Sequence, residues 1–278
     1  MNKTAIEWCD FTWNPVVGCT KGCEFCYARR QAKRFKQRCQ LCYEFVPHLH
    51  AERLGEPAKR KKPSRIFVCS MGELFDPELA TTVCGDAVFR QQYPWDLTRA
   101  VLDVPRLCPQ HTFLVLTKRP EIALEYLGYD VPRFPALSLS TNVHLGVSVT
   151  NQADADERIP LLLQCNAAVR GVSYEPALGP VDFGHIPFGG SYRGDVLGGR
   201  VSFERPTLDV ERRMAQCQTI DWLVIGAETG NRKGKIVPKR EWIQSAIDQC
   251  RAAGVPVFVK DNIVKLYPAY AGIRELPK

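Results

Sequence analysis

Cys19, Cys23 and Cys26 sit in one short stretch, Gly18-Cys-Thr-Lys-Gly-Cys-Glu-Phe-Cys-Tyr27, at the spacing Cys-x3-Cys-x2-Cys. Three thiolates on one loop can hold three corners of a cubane 4Fe–4S cluster, because soft sulfur ligands suit iron–sulfur centres. No fourth cysteine follows in register, so one iron would lack a protein ligand and stay open to a small molecule. Phe25 puts an aromatic ring beside that corner. The competing readings are part of a zinc site, disulfides, or inert core thiols. Structural zinc normally takes four ligands, which favours the cluster.

A second group follows closely: Cys39-Gln-Leu-Cys42 with His48 and His50. These are four soft or borderline ligands of the kind zinc takes. The alternative is a chance Cys-x2-Cys beside a structural His-x-His. An auxiliary iron–sulfur cluster is disfavoured, because histidine ligation of such clusters is uncommon.

The elements that must position these residues are read from the rest of the chain. At 278 residues, 45% hydrophobic and 24% charged, it has ordinary globular composition. The segment Met1–Glu7 lacks the apolar core of a secretory signal, and no run approaches the roughly 18 apolar residues of a membrane span. With 12 cysteines, the expectation is a reducing cytoplasm, where metal binding outcompetes disulfides. The net charge of +7 is clustered. Arg29, Arg30, Lys33, Arg34, Lys36 and Arg38 follow the cysteine loop, and Lys59, Arg60, Lys61, Lys62 and Arg65 form a second run. They read either as solvated faces or as a phosphate-binding surface for nucleic acid.

Apolar, β-branched runs predict strands at 13–17, 66–70, 112–117, 144–149, 169–174, 222–227 and 255–260. Helical patterns fall at 27–35, 94–107, 153–164, 208–216 and 239–253. The last is clearest, with Trp242, Ile243, Ala246, Ile247 and Cys250 on one face and Gly254 as its stop. Alternation of this kind predicts an α/β fold, a full or partial parallel βα barrel, with chemistry on the loops after the strands. The whole of 1–278 reads as one domain with two insertions. Residues 37–64 are basic and carry Cys39, Cys42, His48 and His50. Residues 183–203 are glycine-rich and read as a lid, a binding loop or a plain surface hairpin.

Further motifs stand in order: Thr4-Ala-Ile-Glu-Trp8, Thr12-Trp-Asn-Pro15, Ser70-Met-Gly-Glu-Leu-Phe-Asp76, Leu116-Thr-Lys-Arg-Pro120, Gly146-Val-Ser-Val149, Ser173-Tyr-Glu-Pro176, Gly226-Ala-Glu-Thr-Gly230 and Phe258-Val-Lys260. With the cysteine loop, this series resembles the phage-associated three-Cys-motif family of radical S-adenosylmethionine proteins, a domain of unknown function. The resemblance covers nearly the whole chain. It implies that Cys19, Cys23 and Cys26 ligate three irons and that Phe25 lies near the adenine. It also implies that Gly72 and Glu73 meet the methionine amino group, where a carboxylate makes electrostatic sense. Ser148 would contact ribose or carboxylate. Gly226 and Glu228 match a glycine-bearing motif that lets backbone approach the adenine. Cys39, Cys42, His48 and His50 depart from the family pattern. Lys118 and Arg119 are candidates to hold a carboxylate or phosphate.

What the resemblance implies chemically is a reduced 4Fe–4S cluster that cleaves S-adenosylmethionine to a 5′-deoxyadenosyl radical, fed by a flavodoxin- or ferredoxin-like electron donor. The chain is also similar to phage thymidine-hypermodification radical isomerases. That likeness implies a DNA or modified-nucleotide substrate, in which a glycine on the thymine methyl moves from nitrogen-linked to α-carbon-linked attachment, helping a phage evade restriction. Other readings are a nucleic-acid repair lyase, a tRNA-modifying enzyme, or a non-catalytic metal-bearing nucleic-acid-binding protein. None requires a membrane.

Overall fold

The computed structural model describes residues 1–79, 83–84, 97–128, 139–188, 193–202 and 219–277. In chain order their strands are β1 (Asn2–Lys3), β2 (Phe11–Trp13), β3 (Val16–Val17), β4 (His48–His50), β5 (Arg65–Val68), β6 (Val83–Cys84), β7 (Thr112–Thr117), β8 (Val143–Val149), β9 (Val169–Tyr174), β10 (Ile186–Pro187), β11 (Arg193–Asp195), β12 (Arg200–Ser202), β13 (Trp222–Ile225) and β14 (Val257–Val259). The main sheet has 8 strands in the order β1-β2-β5-β7-β8-β9-β13-β14. Only β1 runs antiparallel to its neighbour; every other adjacent pair is parallel. The expected α/β fold with a parallel sheet is therefore present.

Spatial order follows chain order, so each crossover steps the same way along the sheet. Helices Leu97–Asp103, Pro120–Leu127, Gln152–Leu163 and Arg240–Ala253 make these crossovers. The last buries Ile243, Ala246, Ile247 and Cys250 and stops at Gly254, whose φ of 72° is left-handed. The helix expected over 208–216 lies outside the described residues.

The sheet is strongly curved. Trp8 touches Phe67 on β5 at a ring-centroid distance of 4.7 Å and Trp222 on β13 at 6.0 Å. Lying flat, those two strands would be roughly 19 Å apart, four strand spacings. On the concave face Trp8 packs with Leu114, Trp222, Val224 and Phe258. Gly146 and Gly171, paired across β8 and β9, make room: a Cβ on Gly146 would sit 2.6 Å from Leu116 Cδ2. The convex face packs Ile66, Val68, Phe113, Val115, Val147, Leu223 and Ile225 under the helices.

Among the described residues no ladder joins β1 to β14, so the sheet is open. The segment 273–275 lies along β14 instead, with Val259 N donating to Ile273 O at 2.9 Å. Arg274 then pairs with Glu7, and Glu7 Oε2 accepts from Asp261 N at 2.7 Å. Side chains fasten the seam that a closed barrel would seal with backbone bonds.

Two details differ from the sequence reading. The first strand stops at Trp13 because Pro15 has no N–H for the ladder. Val16–Val17 then joins a separate small sheet with β4 and β6. The glycine-rich segment 183–203 contributes an antiparallel meander, β10-β11-β12, and none of its described residues lines the main cavity. The meander is anchored by buried Phe183, Ile186, Val196 and Leu197.

Candidate active site and metal centre

The parallel strands end on one rim, and there the polar motifs gather around an open cavity of about 1050 Å³. Cys19, Cys23, Phe25, Cys26, Gly72, Glu73, Lys118, Ser148 and Glu228 all line it. The segment after β3, the loops after β5, β7 and β13, and the end of β8 thus meet at one place. Gly226 is not among the lining residues.

The cysteine loop is held mainly by backbone. Gly18 has φ 96° and forms a bridge with Gly72. Gly18 N donates to Met71 O at 3.1 Å, and Glu73 N donates to Gly18 O at 3.0 Å. A Cβ on Gly72 would lie 2.9 Å from Gly18 O, so only glycine lets the two loops approach this closely. Cys26 caps helix Tyr27–Ala32, its Sγ accepting from Arg29 N at 3.4 Å, and Cys19 Sγ accepts from Lys21 N at 3.3 Å. The three thiols are free and half-buried. Burial, followed by nearby Glu73 and Asp76, pushes the Cys19 thiol up to about 11. A bound metal would reverse this by taking the thiolate.

Around the loop lies a ring of ties. Asp76 carboxylate accepts from Thr20 N at 2.8 Å, and Arg119 reaches Thr20 Oγ1 at 2.7 Å. Arg119 is thus committed to the cysteine loop. Lys118 Nζ lies over the Phe25 ring at 5.4 Å, leaving its cation at the cavity wall. Asn14 Oδ1 accepts from Met71 N at 3.0 Å, which joins the ends of β2 and β5.

Glu73 is 5% exposed. Its Oε1 accepts from Thr117 Oγ1 at 2.7 Å and Phe75 N at 3.2 Å, and its Oε2 accepts from Lys118 N at 3.0 Å. Burial pushes this carboxyl up, and the three donors oppose that. A carboxylate offers about four lone-pair directions, so one on Oε2 is left for a ligand. Ser148 faces its register partner Ser173 on the concave side, and both line the cavity.

Glu228 is buried and takes both forks of Arg232 at 2.8 Å. These bonds hold its carboxyl below the usual carboxylate range. Arg232 also approaches Glu24 of the cysteine loop at 3.7 Å. At Gly226 the structure adds a further reason for glycine. A Cβ there would meet Glu175 Cδ at 2.6 Å, so this glycine admits a neighbouring side chain. Glu175 in turn binds Lys260 Nζ at 2.5 Å inside the cavity. Neither residue was assigned a role from sequence, although both stand in quoted motifs. Tyr27, whose hydroxyl donates to Ser70 O at the rim, was missed in the same way.

Cys39, Cys42, His48 and His50 do come together. Their four ligand atoms lie within 4.8 Å of one another, and the group can hold a metal ion. Cys42, His48 and His50 are buried. Burial lowers the proton affinity of both imidazoles, and His50, also facing Arg53 and His48, is pushed down to about 4. The neutral form is the one that ligates.

The two basic runs diverge. Arg29 and Arg38 line the cavity, and Arg30, Lys33, Arg34 and Lys36 are exposed beside them. The second run leads into β5 at Arg65, the opposite end of the sheet, where Arg60 stacks over Phe11 at 4.0 Å. Among the described residues no helix is long and apolar enough to cross a membrane.

No curated protein and no solved structure matches this chain. A family model described as "Protein of unknown function (DUF5131)" matches residues 3–263. With its strand-end motifs and cysteine loop inside that span, the chain belongs to the DUF5131 family.

Proposed function

We infer that this protein is a radical S-adenosylmethionine enzyme built on a partial βα barrel. The observation that carries this is one cavity shared by three free thiols and by residues at the ends of six later parallel strands, β5, β7, β8, β9, β13 and β14. Its roughly 1050 Å³ is at the upper end of ligand pockets, which span on the order of 300–1,000 Å³. That leaves space for a substrate beside the cofactor.

Cys19, Cys23 and Cys26 would hold the 4Fe–4S cluster. The donor chemistry fits, because backbone N–H groups already point at two of the sulfurs. When bound, cluster and S-adenosylmethionine supply a hydrogen-abstracting deoxyadenosyl radical. The chain's own residues bind and orient. Phe25 offers a ring face, Glu73 its spare lone pair to an ammonium, and Ser148 and Ser173 two hydroxyls. The curved sheet walls out water. The Cys39, Cys42, His48 and His50 group would take zinc.

The substrate class we propose is nucleic acid, with amino-acid-modified thymidine in phage DNA as the best-fitting case and isomerisation of its glycine attachment as the reaction. The exposed basic helix beside the cavity supports a polyanion. The test is anaerobic reconstitution with iron, sulfide and reductant, followed by assay for 5′-deoxyadenosine. Wild type is expected to form it, and Cys26→Ala to fall to background while remaining folded. Equal formation by both proteins rejects the assignment. DNA carrying the glycine adduct, digested to nucleosides after incubation, then tests the substrate; an unchanged adduct despite cofactor cleavage rejects that part.

A further inference from the structure

Beside the cysteine loop, two histidines face each other in a way that suits a bound cation. His48 Nδ1 lies 2.7 Å from Val46 O, and His50 Nδ1 lies 3.0 Å from a Glu52 carboxylate oxygen. Both partners only accept, so each Nδ1 carries its ring's proton and each Nε2 is left with a bare lone pair. Yet the two Nε2 atoms point at each other across 2.9 Å. Cys42 Sγ is 3.4 Å from one and 3.2 Å from the other, and Cys39 Sγ is 3.7 Å from His48 Nε2. Lone pairs pressed together in a buried space repel. A cation between them converts the repulsion into bonds.

The dimensions and the two-Cys, two-His donor set suit zinc. Tetrahedral zinc bound by nitrogen and sulfur at ordinary lengths has N···N edges of about 3.3 Å and S···N edges of about 3.6 Å. The N···N edge and the three S···N edges given above lie within a few tenths of an ångström of these, and all four ligand atoms lie within 4.8 Å of one another. The second shell is already in place: each ring is oriented through its other nitrogen, and Cys42 N donates to Cys39 Sγ at 3.4 Å. Four protein ligands leave no open position, which is the pattern of structural zinc and not of a catalytic one.

What this centre braces is the cysteine loop, residue by residue. Val17 pairs with His48 across β3 and β4. Gly18 lies so close to the next turn that a Cβ would be 2.2 Å from Val46 O. Cys19 N donates to Phe45 O at 3.3 Å, and Phe45 packs with Cys19, Cys26 and Met71. Phe45 itself has φ 63°, left-handed for a bulky residue, at the end of the turn that carries Cys39 and Cys42. Such strain persists only where surroundings enforce it.

We propose that a structural zinc ion at Cys39, Cys42, His48 and His50 holds the strand pair and turn that carry Cys19, and thereby sets how well the Cys19–Cys26 loop takes up its own metal. The zinc part stands alone; the effect on cluster uptake rests on the iron–sulfur reading above. The two are separated by testing zinc in a full-length protein that cannot bind a cluster, with Cys19, Cys23 and Cys26 all replaced by Ala. That variant is expected to retain about one zinc per chain by elemental analysis. Exchange into cobalt(II) is expected to give the visible bands of a tetrahedral thiolate–imidazole site. No bound zinc, or cobalt bands of an octahedral oxygen site, overturns the zinc assignment.

For the bracing role, His48→Ala with His50→Ala is expected to lose zinc and to lower 4Fe–4S content after reconstitution by roughly tenfold, the effect of losing metal-site support. Full cluster content without zinc overturns it. Should the double variant not fold, wild-type protein stripped of zinc by a chelator replaces it. Tryptic cleavage at Lys21 is then expected to speed up at least severalfold and to slow again on adding zinc. A rate indifferent to zinc overturns the bracing role.

Discussion

The loop 19–26 and the segment 39–50 are neighbours in sequence and in space, and both present cysteines, yet they are built in opposite ways. In the first, the thiols are half-exposed, line a large cavity and are fixed from behind by backbone contacts through Gly18 and Gly72. In the second, side chains from a turn and a strand converge on one point, three of the four buried, with Cys42 alone also touching the cavity wall. A site that must admit a ligand cannot be packed with its own side chains, so its rigidity comes from close backbone approach. A site that only holds an ion can be closed on every side. Cysteine spacing alone does not separate these cases; the surroundings of each sulfur do.

The largest effect that would break this contrast is expected at the contact between the two regions. Gly18→Ala places a Cβ 2.2 Å from Val46 O at φ 96°. Strain and overpacking together cost roughly 2–5 kcal/mol, which lowers Tm on the order of 10 °C. Gly55→Ala, where a Cβ meets nothing within 4 Å, serves as the near-neutral control. Equal melting of the two variants would show that the regions are independent.

A smaller effect sharpens the contrast from the cavity side. Arg232→Ala leaves Glu228 buried without its forked partner and is expected to lower Tm at neutral pH, with zinc content unchanged. Because the pair depresses the Glu228 carboxyl, its contribution is fully present above the ordinary value of 4.5 and is lost as pH falls through the lowered one. The gap between wild type and variant in thermal melts should therefore close on acidification. A gap that widens at low pH contradicts the sign.

The smallest expected effect concerns the basic runs. Replacing Lys33, Arg34 and Lys36 by Ala is expected to lower the salt slope of DNA binding by up to about 0.9 per lost phosphate contact. Replacing Lys59, Lys61 and Lys62, at the far end of the sheet, should leave the slope unchanged. The reverse ranking would place the nucleic acid on the other face.

Much of this architecture was legible because the buried parallel strands carry nearly continuous apolar runs. β7 and β9 fall at the residues expected, and β8 starts one residue earlier. Helix Pro120–Leu127 was not foreseen because Lys118-Arg119-Pro120 reads as a loop exit, whereas proline is tolerated in a helix's first turn. The convergence of Phe25, Gly72, Glu73, Ser148 and Glu228 on one cavity follows from strand-end placement, which periodicity can reveal. What it cannot reveal is partnership over long range. Nothing local says that Gly226 makes space for Glu175, that Thr117 engages Glu73, or that Trp8 fills the concave face. Each depends on a residue dozens of positions away.

The seam between the first and last strands gives the cavity walls joined in two different ways. Where neighbouring strands are laced by amide bonds, parting them costs a whole row of contacts. Between Glu7 and Arg274 the wall is clasped by side chains, backed by Trp8 packed with Trp222 and Phe258. A ligand passing along that edge would run beside the thiol-bearing loop, which follows β2 next to the seam and reaches the segment after β13 through Glu24 and Arg232.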